Sequence, residues 1–213
     1  MDTIKSKYHE TLAATIIKNL EKRQMEGYYC PTVEDAEKLA FSFLKDGQSV
    51  SFGGSMTLEE TGMLTALRHD PSIHLIDRST AKTPEETKKI YHDALSSDVY
   101  FMSTNAITAN GELVNIDGTG NRVAALIYGP ETVIILTGMN KVAANVEEAL
   151  SRIHNVATPQ NCIRLNKKTP CSTTGTCVDC LSPDCICNQV VITRRSGIKG
   201  RIKVLLIGDT FGY

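Results

Sequence analysis

Apolar positions in residues 4–26 recur at every fourth residue (Ile4, Tyr8, Leu12, Ile16 and Leu20) among charged neighbours. This recurrence predicts an amphipathic helix. Pro31-Thr32 opens a second predicted helix through Ala36, Leu39, Ala40, Phe43 and Leu44, closed near Gly47. Ser49-Val50-Ser51-Phe52 reads as a short strand running into Gly53-Gly54-Ser55, with a helix from Thr57 to Leu67 after it. The alternation continues with a strand at 73–76, a helix from Pro84 to Leu95 and a strand at 99–102. After a polar loop, Leu113-Val114-Asn115-Ile116 predicts another strand. Val133 to Leu136 is a continuous apolar run, the mark of a strand covered on both faces. Val142 to His154 predicts a helix, and 190–193 and 202–207 return to strand character.

Strands separated by helices of this length form βαβ units, so the expected fold class is α/β, with a mostly parallel, right-handed sheet and flanking helices. Ligands of such sheets bind beyond the carboxyl ends of the strands. This singles out the loops after Phe52, Met102, Ile116 and Leu136, three of them rich in Gly, Asn, Ser or Thr. The 213 residues, 41% of them hydrophobic, are expected to form one domain over 1–213, within which 155–188 is a polar, Pro- and Cys-containing excursion. Lys and Arg number 23 against 24 Asp and Glu, a net charge of -1 that provides no global attraction for nucleic acid or an anionic membrane. No apolar run approaches the roughly 18 residues of a membrane span, and the N-terminal stretch has no apolar signal core. Five of the seven cysteines fall between 171 and 187. One local cluster without a signal core predicts metal or thiol chemistry in a reducing compartment, the cytoplasm.

Two loops hold the candidate binding groups. Gly53 and Gly54 allow a sharp turn and close approach of a ligand, and Ser55 and Thr57 lead into a helix start whose free N–H groups favour an anion. Glu60 is placed to complete a capping box with Thr57. Glu59 is the candidate catalytic carboxylate, its competing reading being a solvated helix charge. The second group runs from Asn105 to Val123 and includes Thr108, Asn115, Asp117, Asn121 and Arg122. Arg122 would clamp a carboxylate or phosphate with its planar fork, and the Gly-Thr-Gly-Asn-Arg turn before an apolar run predicts a further helix start. Asn110-Gly111 is read as turn chemistry alone. Lys141, after the most apolar strand, would neutralise an anion from the other side, its competing reading being an exposed lysine near a helix start. None of the histidines lies in a recognisable catalytic or ligating pattern.

Several segments together resemble the lactate-utilisation (LUD) domain family. They are Gly53-Gly54-Ser55-Met56-Thr57-Leu58-Glu59-Glu60-Thr61-Gly62, Asn105-Ala106-Ile107-Thr108, Gly111 to Gly118 with Gly120-Asn121-Arg122-Val123-Ala124-Ala125, Gly138-Met139-Asn140-Lys141, and the ending Arg201 to Tyr213. The resemblance implies a fold similar to the sugar-phosphate isomerase and coenzyme A transferase group. It also implies a small anionic metabolite as ligand and a role accessory to lactate-type oxidation. Some family members work in an iron–sulfur complex that oxidises L-lactate, which would make iron–sulfur or oxidoreductase subunits partners. The alternative is an isomerase or acyl-transferase-type enzyme in which Glu59 does acid–base or nucleophilic work.

Cys171-x5-Cys177-x2-Cys180-x6-Cys187 resembles the four-cysteine tail of single-domain members. Cys-x2-Cys lets two thiolates face one centre, and the irregular remaining spacings suit an iron–sulfur cluster. Zinc, or redox thiols and disulfides, are the alternatives. Cys185 is expected to stay outside the set, and Cys30 and Cys162 to be small core residues.

Overall fold

The computed structural model describes residues 3–213, so Met1 and Asp2 of the N-terminal stretch read for a secretion signal lie outside the described residues. The chain opens with α1 (Thr3–Lys22), β1 (Glu26–Cys30), α2 (Val33–Ser42) and β2 (Ser49–Phe52). Next come α3 (Met56–Glu60), α4 (Met63–His69), β3 (His74–Ile76), α5 (Pro84–Leu95) and β4 (Val99–Met102). A hairpin of β5 (Ala106–Thr108) and β6 (Leu113–Asp117) precedes α6 (Asn121–Ile127) and β7 (Thr132–Gly138). The rest comprises β8 (Val142–Ala143), α7 (Val146–Arg152), α8 (Thr158–Arg164), α9 (Pro170–Thr174), β9 (Gln189–Thr193) and β10 (Ile202–Ile207).

Six strands form a parallel sheet in the order β1-β10-β7-β4-β2-β3, as the α/β alternation predicts. The pleat divides its apolar side chains between two cores. Tyr100, Met102, Val133 and Ile135 meet Ala13, Ile16 and Leu20 of α1 on one face. Val99, Phe101, Ile134 and Leu136 meet Ala36, Ala40, Leu58 and Leu67 on the other. This two-sided cover explains why Val133 to Leu136 is uninterrupted by polar residues.

Five features depart from the sequence reading. Leu113–Ile116 does not extend the parallel sheet. It lies in a second sheet, of order β8-β5-β6-β9, where β6 runs antiparallel to both β5 and β9. Residues 26–30, left between two helices apart from Glu26 at the end of the first, form an edge strand against β10, because parallel pairing with that strand satisfies their backbone. Val142 and Ala143 pair with β5, and the helix starts only where the Asn145 side chain caps Glu148 N–H. The same helix then runs past His154, through a π-turn at Ile153–Ala157 directly before Pro159 and on to Arg164, so the first part of the 155–188 excursion is helical. The spacing of four in α1 also misled: each step of four overshoots a turn by about 40°, which over several turns carries the stripe around the helix. Ile4 and Tyr8 are exposed, while Ala13, Ile16 and Leu20 form the buried stripe.

Arg201 fastens the sheet to α6. Buried before β10, it donates from Nε to Pro130 O (2.8 Å), from Nη1 to Leu126 O (2.7 Å) and from Nη2 to Ala125 O (2.8 Å). Arg201→Met would leave these carbonyls without donors, and buried unsatisfied groups cost about 1–3 kcal/mol each. We expect the variant to lose about 3 kcal/mol, read as a lower urea midpoint at unchanged slope. A midpoint equal to wild type would refute the role.

Candidate functional site

The loops after β2, β3, β4, β7 and β10 gather at the carboxyl edge of the parallel sheet. With the β6–α6 turn, α8 and the segment around Cys185 they enclose a cleft of about 430 Å³. Lys141 lies on its floor. Gly138 ends β7 where a Cβ would meet Asn140 Oδ1 at 2.4 Å and Asp209 O at 2.7 Å, and the 3-10 turn Met139–Lys141 carries the lysine beneath the loops. Only 4% exposed, Lys141 donates from Nζ to Thr57 Oγ1 (2.7 Å) and Ser103 Oγ (3.1 Å). Burial first, then the nearby Arg152 and Arg122, push its pKa down to about 7 against the opposing pull of Glu60. The exposed-lysine reading is thereby replaced by a buried amine.

Arg122 lines the same cleft as Gly54 and Ser55 but is not a free clamp. Its Nη1 donates to Ser103 O (3.1 Å) and Asn115 Oδ1 (2.6 Å), and its Nη2 to Asn105 Oδ1 (2.9 Å) and Ile116 O (2.9 Å). Its Nε faces Asp117 Oδ2 at 3.2 Å. With every donor of the fork engaged inside the protein, Arg122 is a structural hub. Asn105, Asn115 and Asp117 are its partners. Asp117 also accepts from the N–H groups of Thr119 and Gly120, so the turn before α6 already holds the protein's own carboxylate where an anion was expected. Gly53 packs under the hub, where a Cβ would meet Arg122 Cγ and the Tyr100 hydroxyl at 3.1 Å.

The remaining expected residues divide. Asn121 lines the cleft. Thr57 is buried, its hydroxyl donating to Phe211 O (3.2 Å) and accepting from Lys141. Thr108 sits in the β5–β6 turn, hydrogen-bonded to Glu112, and does not line the cleft. Glu59 is exposed and does not line the cleft either, so the solvated-charge reading holds and its candidacy as catalytic carboxylate lapses. The capping box also fails. Ser55 is the N-cap, accepting from Leu58 N–H, because the helix begins one residue earlier than read. Glu60 instead accepts from Gly212 N–H at 2.6 Å and pins the C-terminal residues beside Lys141.

Five of the six charged side chains around the cleft are basic: Arg78, Arg122, Lys141, Arg164 and Lys167, against Asp117 alone. Arg78 and Ser103 were missed although Ser103 directly follows a predicted strand and Arg78 lies two residues after one. Arg164 and Lys167 lie at the end of α8, in a stretch whose sequence shows no periodicity. The Arg78 guanidinium lies over the Tyr91 ring, 5.8 Å from its centroid, and Nη1 lies 3.0 Å from where a Gly54 Cβ would be.

Of the cysteines, Cys185 lines this cleft and Cys171, Cys177, Cys180 and Cys187 do not. Cys171 is buried, 3.3 Å from Thr169 Oγ1 and beside Cys162. Cys177 faces His154 Nδ1 at 3.5 Å, Cys180 faces Ser182 Oγ at 3.6 Å, and Cys187 donates to Thr158 Oγ1 at 3.7 Å. Burial pushes the Cys187 thiol up to about 12. Among the described residues no three His, Cys, Asp or Glu side chains are grouped to hold a metal, so Cys171, Cys177, Cys180 and Cys187 as placed do not fit one centre. Cys185, expected to stand apart, lies on the cleft wall with its sulfur accepting from Cys187 N–H (3.3 Å). Cys162 and Cys30 are buried core residues, as expected.

Comparison with known proteins agrees with the architecture. No curated protein matches the chain. Among solved structures, a DUF162 family protein from Deinococcus radiodurans superposes with a TM-score of 0.54 at 10% identity, covering 93% of this chain and 98% of that one. Ribose 5-phosphate isomerase A from Neisseria gonorrhoeae matches at a TM-score of 0.35 and 13% identity over 52% of each chain. The eIF2B delta of Chaetomium thermophilum matches at 0.34 and 21% identity, over 52% of this chain and 48% of that one. No helix among the described residues is long and apolar enough to cross a membrane. The LUD domain model matches residues 13–207, and with nearly the whole chain so matched, this protein belongs to the LUD domain family.

Proposed function

We propose that the cleft binds a small metabolite carrying a carboxylate or phosphate, and that the protein serves organic-acid oxidation of the lactate type in an accessory role. The observation that carries the reading is the charge around the cleft: Asp117 is paired with Arg122, which leaves Arg78, Arg164 and Lys167 facing a polar space without an acidic counterpart among the lining residues. Uncompensated cations lining a concave site favour an anion. Family membership supports the lactate-type context. The isomerase or acyl-transfer alternative has lost Glu59, the residue on which it depended.

An iron–sulfur cluster on Cys171, Cys177, Cys180 and Cys187, or zinc in its place, is proposed from their spacing. The sulfurs as placed do not converge, so a metal would require residues 175–188 to regroup, and no chemical step is assigned to it. The lack of helix or strand across 175–188 is compatible with such regrouping. When bound, a cluster would supply one-electron transfer. Loading with iron and sulfide without oxygen is expected to give a visible charge-transfer band that Cys177→Ser abolishes. Loading that leaves the spectrum blank sinks the cluster, and zinc in stoichiometric amount under the same conditions would select the alternative.

Binding is read by thermal shift with L-lactate and inorganic phosphate. A ligand at a hundred times its Kd stabilises the folded state by about 2.7 kcal/mol. Arg78→Ala is expected to weaken binding by about tenfold or more, the worth of one hydrogen bond to a charged group, at unchanged stability. Arg122→Ala is expected to destabilise the fold itself by about 3–5 kcal/mol, by orphaning Asp117 and two asparagines. If Arg78→Ala binds as wild type does, the cleft reading is wrong.

Lys141 also implies a pH dependence. It holds its proton up to about pH 7 when folded, against an ordinary 10.5. Between these values the unfolded chain binds more protons, so stability rises with pH across the window. The wild-type protein is expected to gain stability relative to Lys141→Met as pH rises from about 7 to 10.5. A difference between the two that stays flat would show that burial does not oppose the charge.

A further inference from the structure

We propose that Lys141 forms a covalent imine with a small aldehyde or ketone that carries a carboxylate or phosphate. The proposal rests on the cleft being an anion site and names the reaction that its floor is built for.

The arrangement of hydrogen bonds points to a nucleophile. The Thr57 hydroxyl spends its one proton on Phe211 O (3.2 Å), and the Ser103 hydroxyl spends its own on Thr104 O (3.3 Å). Both oxygens are therefore acceptors towards Lys141 Nζ, at 2.7 and 3.1 Å. A neutral amine has two N–H groups and one lone pair. With both N–H groups engaged by these hydroxyls, the lone pair is left for the cleft, which Lys141 lines. Among the described residues no carboxylate lies within ion-pair distance of Nζ. Glu60, the acid that acts on it from further away, is engaged by Gly212 N–H.

The surroundings favour the neutral form. Arg152 and Arg122 both stand close enough to oppose a third positive charge, and burial adds to their effect. A lysine meant only to hold an anion would gain from its full charge, whereas desolvation beside other cations is how a lysine becomes an amine nucleophile near neutral pH. Arg78, Arg164 and Lys167 remain to hold the anionic end of the substrate.

The step balances without a further reactant. The Nζ lone pair attacks the carbonyl carbon and forms a C–N bond. The two protons of the amine leave with the carbonyl oxygen as water, giving C=N. Nothing is oxidised or reduced.

The test treats the full-length protein with pyruvate or with glyceraldehyde 3-phosphate and then with borohydride, which reduces an imine to a stable secondary amine. We expect the intact mass to rise by that of the probe less one oxygen atom, with the label mapped to Lys141. Whichever probe labels identifies the anionic group accepted. Lys141→Met removes the nucleophile without adding a charge, so its label should be lost while its urea midpoint near pH 7 shows the fold retained. L-Lactate and phosphate have no aldehyde or ketone group, so they should compete with labelling and leave no adduct. Label spread over surface lysines, or none on Lys141 with either probe while phosphate binds, overturns the imine. Failure of the wild-type protein to bind phosphate or lactate overturns the anion-site reading on which it rests.

Discussion

The guanidinium of Arg122 is the constraint around which the cleft is organised. A buried charge is tolerated only when its hydrogen bonds are made and a counter-charge is near. Here the partners come from Ser103 at the end of β4, Asn105 at the start of the hairpin, and Asn115, Ile116 and Asp117 of β6. One side chain thereby joins the parallel sheet to the second sheet. Each segment it touches also contributes to the cleft wall. Burial works against its charge while Asp117 holds it, so removing either partner would expose the cost of the other.

With Arg122 and Asp117 ion-paired to one another, the remaining cations set the character of the cleft. Arg152 adds to the same frame by donating to Asn140 O (3.1 Å) and Asn105 O (2.8 Å), which holds the turn before Lys141 against the hairpin. Burial first, then these two guanidiniums that hold the structure together, depress the proton affinity of Lys141. The same contacts that stabilise the junction of the two sheets prepare its amine. Glu60 and Asn140 close the arrangement from the other side by holding Phe211 and Gly212 over it.

Much of the scaffold was legible because it follows local rules. Pro84 to Leu95 is a helix with Thr83 as its cap and proline at its start, and Val133 to Leu136 is a strand because it is apolar on both faces. The Gly53-Gly54-Ser55 turn was legible for the same reason. The hairpin turn at Asn110-Gly111 follows from chemistry, Gly111 having φ +85°. Glu26–Cys30 was not legible, since a five-residue edge strand owes its state to β10, which lies far along the chain. Thr57 as a cap and Glu59 as a cleft residue failed together, because a shift of one residue at a helix start rotates every later side chain by about 100°.

By itself the sequence determined the α/β class, the family, the loops at the carboxyl edge and the glycines that let them turn. The class, the loops and the turns depend on periodicity and on backbone conformations that neighbouring residues impose, and the family on the resemblance of the motifs. Only the tertiary structure decided which polar groups are spent and which are free. Arg122 and Asp117 are ion-paired, Arg78, Arg164 and Lys167 arrive from distant segments, and Lys141 is buried rather than exposed. Charge state and hydrogen-bond vacancy depend on desolvation and on partners from other segments, which no local pattern encodes.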